Sequence, residues 1–275
     1  MAISFLNDVS LPGTSTSLLM ADGSNIPVGA DDSFLKVVSG EPVWSGSAPT
    51  TAPALRSSTS VSGNTSAGID IVIPAHVSGD LIIVLCVVSY GSRSFFNATT
   101  PTGWTKFNAS NNGSSSYYNS AIYYKTATSN SESNFQISAG GSANQYYWQT
   151  GACAVFKDTA GITANTVFNS ITQVSSRTVP SIAAPAANSL EVALVTSATN
   201  TGNFYNQNFS GTGWSLAKIN STPTSFYYNY AGIYQVVGGS PAAAQNDMTI
   251  TTTNASTGAS FNARIGYTSL RLGPA

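Results

Sequence analysis

Residues 81–88 read LIIVLCVV, an unbroken apolar run dense in β-branched side chains. A bilayer span needs about 20 such residues, so this run is too short to cross a membrane. Its length and branching suit a strand covered on both faces. Just upstream, Ile69, Ile71 and Ile73 alternate with Asp70 and Val72, the period of two that marks a strand with one buried face. Runs of the same kind follow at 121–126, 151–156, 190–195, 231–237, 248–253 and 265–272, separated by Gly, Asn and Ser clusters. From residue 55 onward no segment keeps a helical period. The fold class expected is all-β.

The chain also repeats itself. GDLIIVLCVVSYG, TGWTKF, AIYYKTA and GACAVFK are answered in the same order by NSLEVALVTSA, TGWSLAKI, GIYQVVG and ARIGYTSLRL. Leu81 corresponds to Leu190, Trp104 to Trp214, and Ile122-Tyr123 to Ile233-Tyr234, at a nearly constant offset. Two related half-sandwiches, about 68–160 and 178–275, each lending strands to a common core, are the physical reading. Each Trp follows a Gly and is expected to plug the core where a loop re-enters a strand. Tyr123 and Tyr234 are expected to face inward.

Ahead of the repeats, residues 1–45 hold five acids (Asp8, Asp22, Asp31, Asp32, Glu41) and one base, Lys36. Their apolar residues come in short bursts with no sustained period. Residues 46–54, SGSAPTTAP, read as a Ser/Pro linker. The start, MAISFLNDVSLPG, has neither a charged n-region nor a long apolar h-region, so no signal peptide is expected and synthesis is expected to be cytoplasmic.

Composition narrows the function. Hydrophobic residues make up 42% of the 275, enough for a real core, yet charged residues are only 8%, against roughly 25% in an ordinary soluble domain. The ten bases, set against eleven acids, are scattered singly from Lys36 to Arg271. Without a basic cluster to neutralise phosphates, nucleic-acid binding is not expected. One histidine and two separated cysteines cannot supply a zinc site, and Asp22-Gly-Ser-Asn lacks the acidic density of a calcium loop. No Gly-rich phosphate loop is present, so no cofactor or metal is expected. Cys86 and Cys153 lie within apolar runs and read as free buried thiols, although a pairing across a sheet stays open.

Catalysis finds little to stand on. His76, Ser78 and Asp80 are near in sequence, but nothing beyond residue identity suggests a relay. The six acids of the β region (Asp70, Asp80, Glu132, Asp158, Glu191, Asp247) form no suggestive glycosidase pair. No catalytic residue is assigned and the protein is not expected to be an enzyme.

Recognition chemistry is better represented. Tyr117, Tyr118, Tyr146, Tyr147, Trp148, Tyr205, Phe226, Tyr227 and Tyr228 cluster with Asn, Ser and Gln. Rigid amphipathic aromatics beside adaptable polar groups suit contact surfaces, and sugar rings stack on such faces. These nine are the candidate contact residues.

The segment ADGSNIPVGADDSFLKVVSGEPVWSG resembles the short units of bacteriophage tail-fibre proteins, with Phe34, Leu35, Gly40 and Trp44 on an F-L-x-x-x-x-G-x-x-x-W pattern. The paired block with GDL, GW, Y-Y-K and G-A-x-A-V-F resembles jelly-roll-like domains of phage virion proteins. In fibres, units of the first kind intertwine about a threefold axis. The resemblance implies a homotrimer in which Phe34, Leu35 and Trp44 trimerise an N-terminal attachment arm (1–45). A jelly-roll-like β-sandwich (55–275) would then be displayed on the virion. The role implied is a tail fibre or receptor-binding protein held to other virion proteins through the arm, with host surface glycan as its contact. The alternative is a capsid decoration (cement) protein, and a glycan-degrading tailspike enzyme stands below both. Neither nucleic acid nor membrane insertion is implied.

Overall fold

The structure is a computed structural model. It describes residues 17–19, 25–27, 33–38, 41–47, 51–65, 68–89, 100–111, 118–137, 147–166, 169–182, 188–199, 205–222, 228–237 and 247–275. All its regular elements are strands. The chain divides into two compact units, Met1–Thr50 and Thr51–Ala275.

The first unit contains two antiparallel pairs, which its irregular hydropathy did not foretell. β1 (Ser17–Leu19) pairs with β2 (Asn25–Pro27), and β3 (Ser33–Val38) with β4 (Glu41–Ser47). In the second pair the register sets Leu35 opposite Trp44. The fibre-like motif therefore spans two paired strands, with Gly40 in the two-residue connection between them. The side chains of Phe34, Leu35 and Trp44, on which the trimer expectation rests, lie outside the described residues. The linker is shorter than expected at both ends, because β4 runs to Ser47 and the next strand starts at Ala54.

The second unit holds the repeats. In the first, β5 (Ala54–Thr65), β7 (Leu81–Ser89), β8 (Thr105–Asn111), β9 (Tyr118–Thr126) and β11 (Tyr147–Lys157) form a sheet in the order β5-β11-β7-β9-β8. β6 (Ile69–Ile71) and β10 (Phe135–Ile137) form a two-stranded sheet beside it. The second repeat matches this five-strand order in its large sheet. β12 (Thr159–Asn165), β15 (Leu190–Thr199), β17 (Ser215–Thr222), β18 (Tyr228–Val237) and β20 (Ala263–Pro274) follow the order β12-β20-β15-β18-β17, and β13 (Asn169–Val174) also pairs with β20. Its small sheet has three strands, ordered β14 (Ser176–Val179), β19 (Met248–Asn254) and β16 (Tyr205–Ser210). In each repeat the first and last strands of the large sheet lie side by side.

Even the turns are duplicated. Gly79 (φ 95°) and Asn188 (φ 56°) occupy left-handed positions two residues before Leu81 and Leu190, and Gly103 (φ 81°) and Gly213 (φ 84°) do so before the two tryptophans. Left-handed backbone favours Gly and tolerates Asn, which is why TGW recurs intact while Gly79 can be replaced by Asn188.

Three layers of core result. β7 shows why its run has no polar break: Leu81, Ile83, Leu85 and Val87 face one core and Ile82, Val84, Cys86 and Val88 the other. The first core is shared, since it also contains Leu190, Val192, Leu194, Ile233, Leu270 and Leu272. The second belongs to repeat one alone and is closed by Ile71, Ile73 and Phe135. Repeat two has its own counterpart, with Ala193, Val195, Trp214, Tyr234, Met248 and Ile250. Each repeat is thus a two-layer sandwich in its own right, and the large sheets stack face to face between them. The expected common core is present, together with a further core inside each repeat that half-sandwiches would not have. Cys86 and Cys153 are free and buried, as the apolar runs suggested, and burial pushes both thiols up, away from reactivity.

The stacking direction follows from strand order. β5 lies against β17, β11 against β17 and β18, and β7 against β18 and β15. The Ser58 hydroxyl donates to the Ala217 carbonyl at 3.1 Å across this interface. β5 is the counterpart of β12, yet it lies against β17, the counterpart of β8. Related sheets that face each other through equivalent faces in reversed order are related by a twofold axis along the strands. β7 and β15 therefore run the same way, and the corresponding ends of the two repeats lie at the same end of the stack.

Candidate functional site

Strand register separates two ends. At one, Ala54 pairs with Lys157, Phe156 with Leu81, Leu190 with Leu272, and Thr159 with Pro274. The chain enters β5 here from residues 51–53, and this end is called the joint end. At the other, Asn64, Trp148, Ser89 and Tyr118 form one row across four strands, and Thr199 pairs with Tyr228 in repeat two. The nine residues of β7 separate the ends by about 25–30 Å.

The register places four of the nine sequence-predicted contact residues at the free end. Tyr118, Tyr147, Trp148 and Tyr228 have their backbones in or beside its rows. Tyr117, Tyr146, Phe226 and Tyr227 lie outside the described residues. Tyr205 does not serve as a surface contact. It is fully buried, its ring stacks on Phe261 with centroids 5.3 Å apart, and its hydroxyl donates to Ser197 Oγ at 2.9 Å. Ser197 in turn donates to Gln207, and Gln207 Nε2 donates to the Tyr234 hydroxyl at 2.8 Å. Alternation along β16 explains the correction: Tyr205 and Gln207 point inward and Asn206 and Asn208 outward. Tyr123 and Tyr234 are buried as expected.

Charge is partitioned along the strands. Arg56, Asp80, Lys125, Glu132, Lys157 and Asp158 of repeat one, with Glu191, Asp247 and Arg271 of repeat two, stand at the joint end. Lys106 and Lys218 lie near mid-strand, paired with Tyr123 and Ile233. At the free end stand Arg264, which pairs with Ala198, and the exposed Asp70, one residue in from the start of β6; Arg177 lies on β14, opposite Ile250. The connections leaving that end (66–67, 90–99, 112–117, 138–146, 200–204 and 223–227) carry one charged residue, Arg93.

The charged end is built as a set of clamps. Asp80, buried in the turn before β7, accepts the Val77 N–H at 2.8 Å and is gripped by Arg56 at 2.6 Å. His76 places Nδ1 2.7 Å from the Pro74 carbonyl and accepts the Glu132 N–H at Nε2, 2.9 Å away. That pair of contacts requires the proton on Nδ1. Ser78 engages Asn130 through its backbone N–H. His76, Ser78 and Asp80 therefore turn to three different partners, and no nucleophile–base–orienter geometry is assembled. Glu132 also binds Lys125 at 2.7 Å; this bond and the Thr128 N–H hold its carboxyl down at about 2. Among the described residues no group of three or more His, Cys, Asp or Glu could hold a metal ion.

Repeat two clamps the equivalent segment differently. Glu191, fully buried on β15, accepts the Ile182 N–H at 2.8 Å, and Arg271, opposite on β20, donates to the Ile182 carbonyl at 2.8 Å. Asp247 accepts the Ser181 N–H at 2.9 Å. Burial pushes the Glu191 carboxyl up to about 7, against the Ile182 N–H and Arg271, which favour its charge; Asp247 adds a smaller upward push. The corresponding residue in repeat one is Ile82, so nothing in the repeat pattern announces this carboxyl. Because the folded value lies above the ordinary 4.5, the native state holds more protons than the unfolded chain between about pH 4.5 and 7. Stability is therefore expected to fall as pH rises through that window. Glu191→Gln should flatten the fall while keeping the acceptor for Ile182, as read from urea midpoints between about pH 4.5 and 7.5. An unchanged pH profile would contradict this.

Comparison of the chain with family models, curated proteins and solved structures finds no match to any of the three.

Proposed function

We propose that this chain is a non-catalytic structural protein of a bacteriophage particle, a tail-fibre or receptor-binding component whose sandwich is held out for contact with the host surface. One observation carries the reading: the chain enters β5 at one end of the strands, while the strand ends of both repeats that carry aromatic residues lie together at the other. A display protein needs that polarity, because the attachment point and the contact surface must not compete for the same end. The resemblance of the 34–44 segment to tail-fibre units supports the first unit as the attachment and trimerisation element. Scarcity of charge supports a surface that contacts through neutral hydrogen bonds and ring faces rather than through ion pairs.

Gold-labelled antibody against residues 51–275, applied to intact phage particles, tests the proposal. Label on the tail is the expected result. Label over the head would make the protein a capsid decoration instead, and absence of label from purified particles would overturn the virion reading.

A further inference from the structure

We infer that residues 180–182 form a strap on repeat two that opens by itself while the sandwich stays folded, and that ionisation of Glu191 beneath it drives the opening as pH rises. The inference goes beyond the display reading and does not depend on it.

Pro180, Ser181 and Ile182 follow β14 outside any strand, and all three are half-buried. Four hydrogen bonds pin their backbone, each made with a side chain of another element. Ser269 Oγ on β20 donates to the Pro180 carbonyl at 3.0 Å, and Arg271 on the same strand donates to the Ile182 carbonyl at 2.8 Å. The Ser181 N–H donates to Asp247, and the Ile182 N–H to Glu191. Glu191 stands opposite Arg271, so a carboxyl and a guanidinium hold the two backbone polar groups of one residue. A segment held by side-chain bonds, with neither a strand ladder nor full burial, opens at a cost below that of global unfolding.

The duplicated fold supplies a contrast. In repeat one the counterpart of Ile182 is Ile73, which is 7% exposed and shares an apolar core with Ile82, the counterpart of Glu191. That segment is held by burial. Repeat two sets an acid and a base under its strap instead. Glu191 is fully buried, and its Oε2 has no hydrogen-bond partner among the described residues. A charge confined there forgoes solvation that water restores once the strap lifts.

The charged groups that act on Glu191 from neighbouring elements are Arg271 of β20, which favours its charge, and Asp247 ahead of β19, which opposes it. Around the same repeat, Arg177 of β14 lies over the Tyr267 ring, and the Tyr234 hydroxyl of β18 accepts from Gln207. Lys157 and Asp158, at the joint end, pair with each other at 3.2 Å. Burial outweighs the Ile182 N–H and Arg271 and pushes the Glu191 carboxyl up to about 7. The closed strap therefore keeps a proton that the open form, near the ordinary 4.5, gives up. Opening is favoured as pH rises through that window, and closure is favoured below it.

Amide hydrogen exchange of the full chain, read as residue protection factors from pH 4.5 to 8, tests the inference. Protection of the Ser181 and Ile182 amides should fall by about 100-fold across that range. It should stay below the protection of Leu194, within β15, at every pH. Glu191→Gln keeps an acceptor for Ile182 without a charge, so its strap should hold the low-pH protection throughout. Ser269→Ala should lower strap protection by about fivefold at every pH and leave the pH dependence intact, because it removes a pin that does not titrate. Strap amides that exchange only in step with Leu194, or that ignore Ser269→Ala, would overturn independent opening. Protection that does not change with pH, or a fall that persists in Glu191→Gln, would overturn the role of Glu191.

Discussion

Trp214→Ala is expected to lower the free energy of unfolding by about 3–5 kcal/mol, the usual cost of emptying a large aromatic site in a core that cannot collapse. Trp214 is 7% exposed and packs among Ala193, Val195, Tyr234 and Met248 in the core that repeat two keeps to itself. Its surroundings are tight: a Cβ on Gly211 would come within 2.8 Å of the Trp214 ring. Urea denaturation of the variant reads the loss directly, and a change below about 1 kcal/mol would mean that the ring is not a core plug. Trp104 in repeat one is only half-buried. It packs edge-on against Phe135, with centroids 4.8 Å apart, and carries Lys125 over its ring at 5.7 Å. Trp104→Ala should cost roughly half as much, because part of that ring already meets water.

Leu194→Ala should cost a similar amount, about 3–5 kcal/mol, but the damage should spread differently. Leu194 is fully buried in the core that both large sheets share, together with Leu81, Ile83, Leu85 and Val87 from β7 of the other repeat. Loosening that core should lower amide-exchange protection in β7 as well as in β15. Trp214→Ala, whose core holds no residue of repeat one, should spare β7 until global unfolding. If Leu194→Ala left β7 protection untouched, the repeats would be two independent sandwiches in tandem.

Much of this architecture is written in the chain where burial is complete. LIIVLCVV has no polar break because β7 is the middle strand of its sheet with a core on each face, and Leu190–Thr199 repeats the situation. The recurring TGW keeps its Gly because a left-handed turn demands it. What escaped the sequence is polar or short. β5 reads ALRSSTSVSGNT, an edge strand whose backbone pairing with β11 needs no apolar alternation. The paired strands of the first unit are too brief to show a period.

The candidate site was legible in part for a related reason. Aromatic composition named the segments, but it could not show that Tyr205 alternates inward on β16. Nor could it show that segments far apart in the chain share one end. That follows from antiparallel register and from the reversed stacking order, neither of which is a property of any single stretch. Glu191 stood out in the sequence only as one of six acids. Its buried pairing around Ile182 with Arg271 depends on strands distant in the chain that register sets side by side.

The aromatic ends share a surface only if the two repeats stack in the same direction, and spin-label distances test that stacking most directly. Cys86 and Cys153 are fully buried, so labels will sit on introduced thiols. Ser215 on β17 would be labelled together with Ala54 in one sample and with Ser62 in another. With Ser58 opposite Ala217 and both strands running the same way, Ser215 lies near the height of Ala54 and about 20 Å along the strands from Ser62. The Ser215–Ala54 distance should therefore be the shorter of the two. If Ser215–Ser62 were shorter, the repeats would point in opposite directions and the aromatic ends would not share a surface.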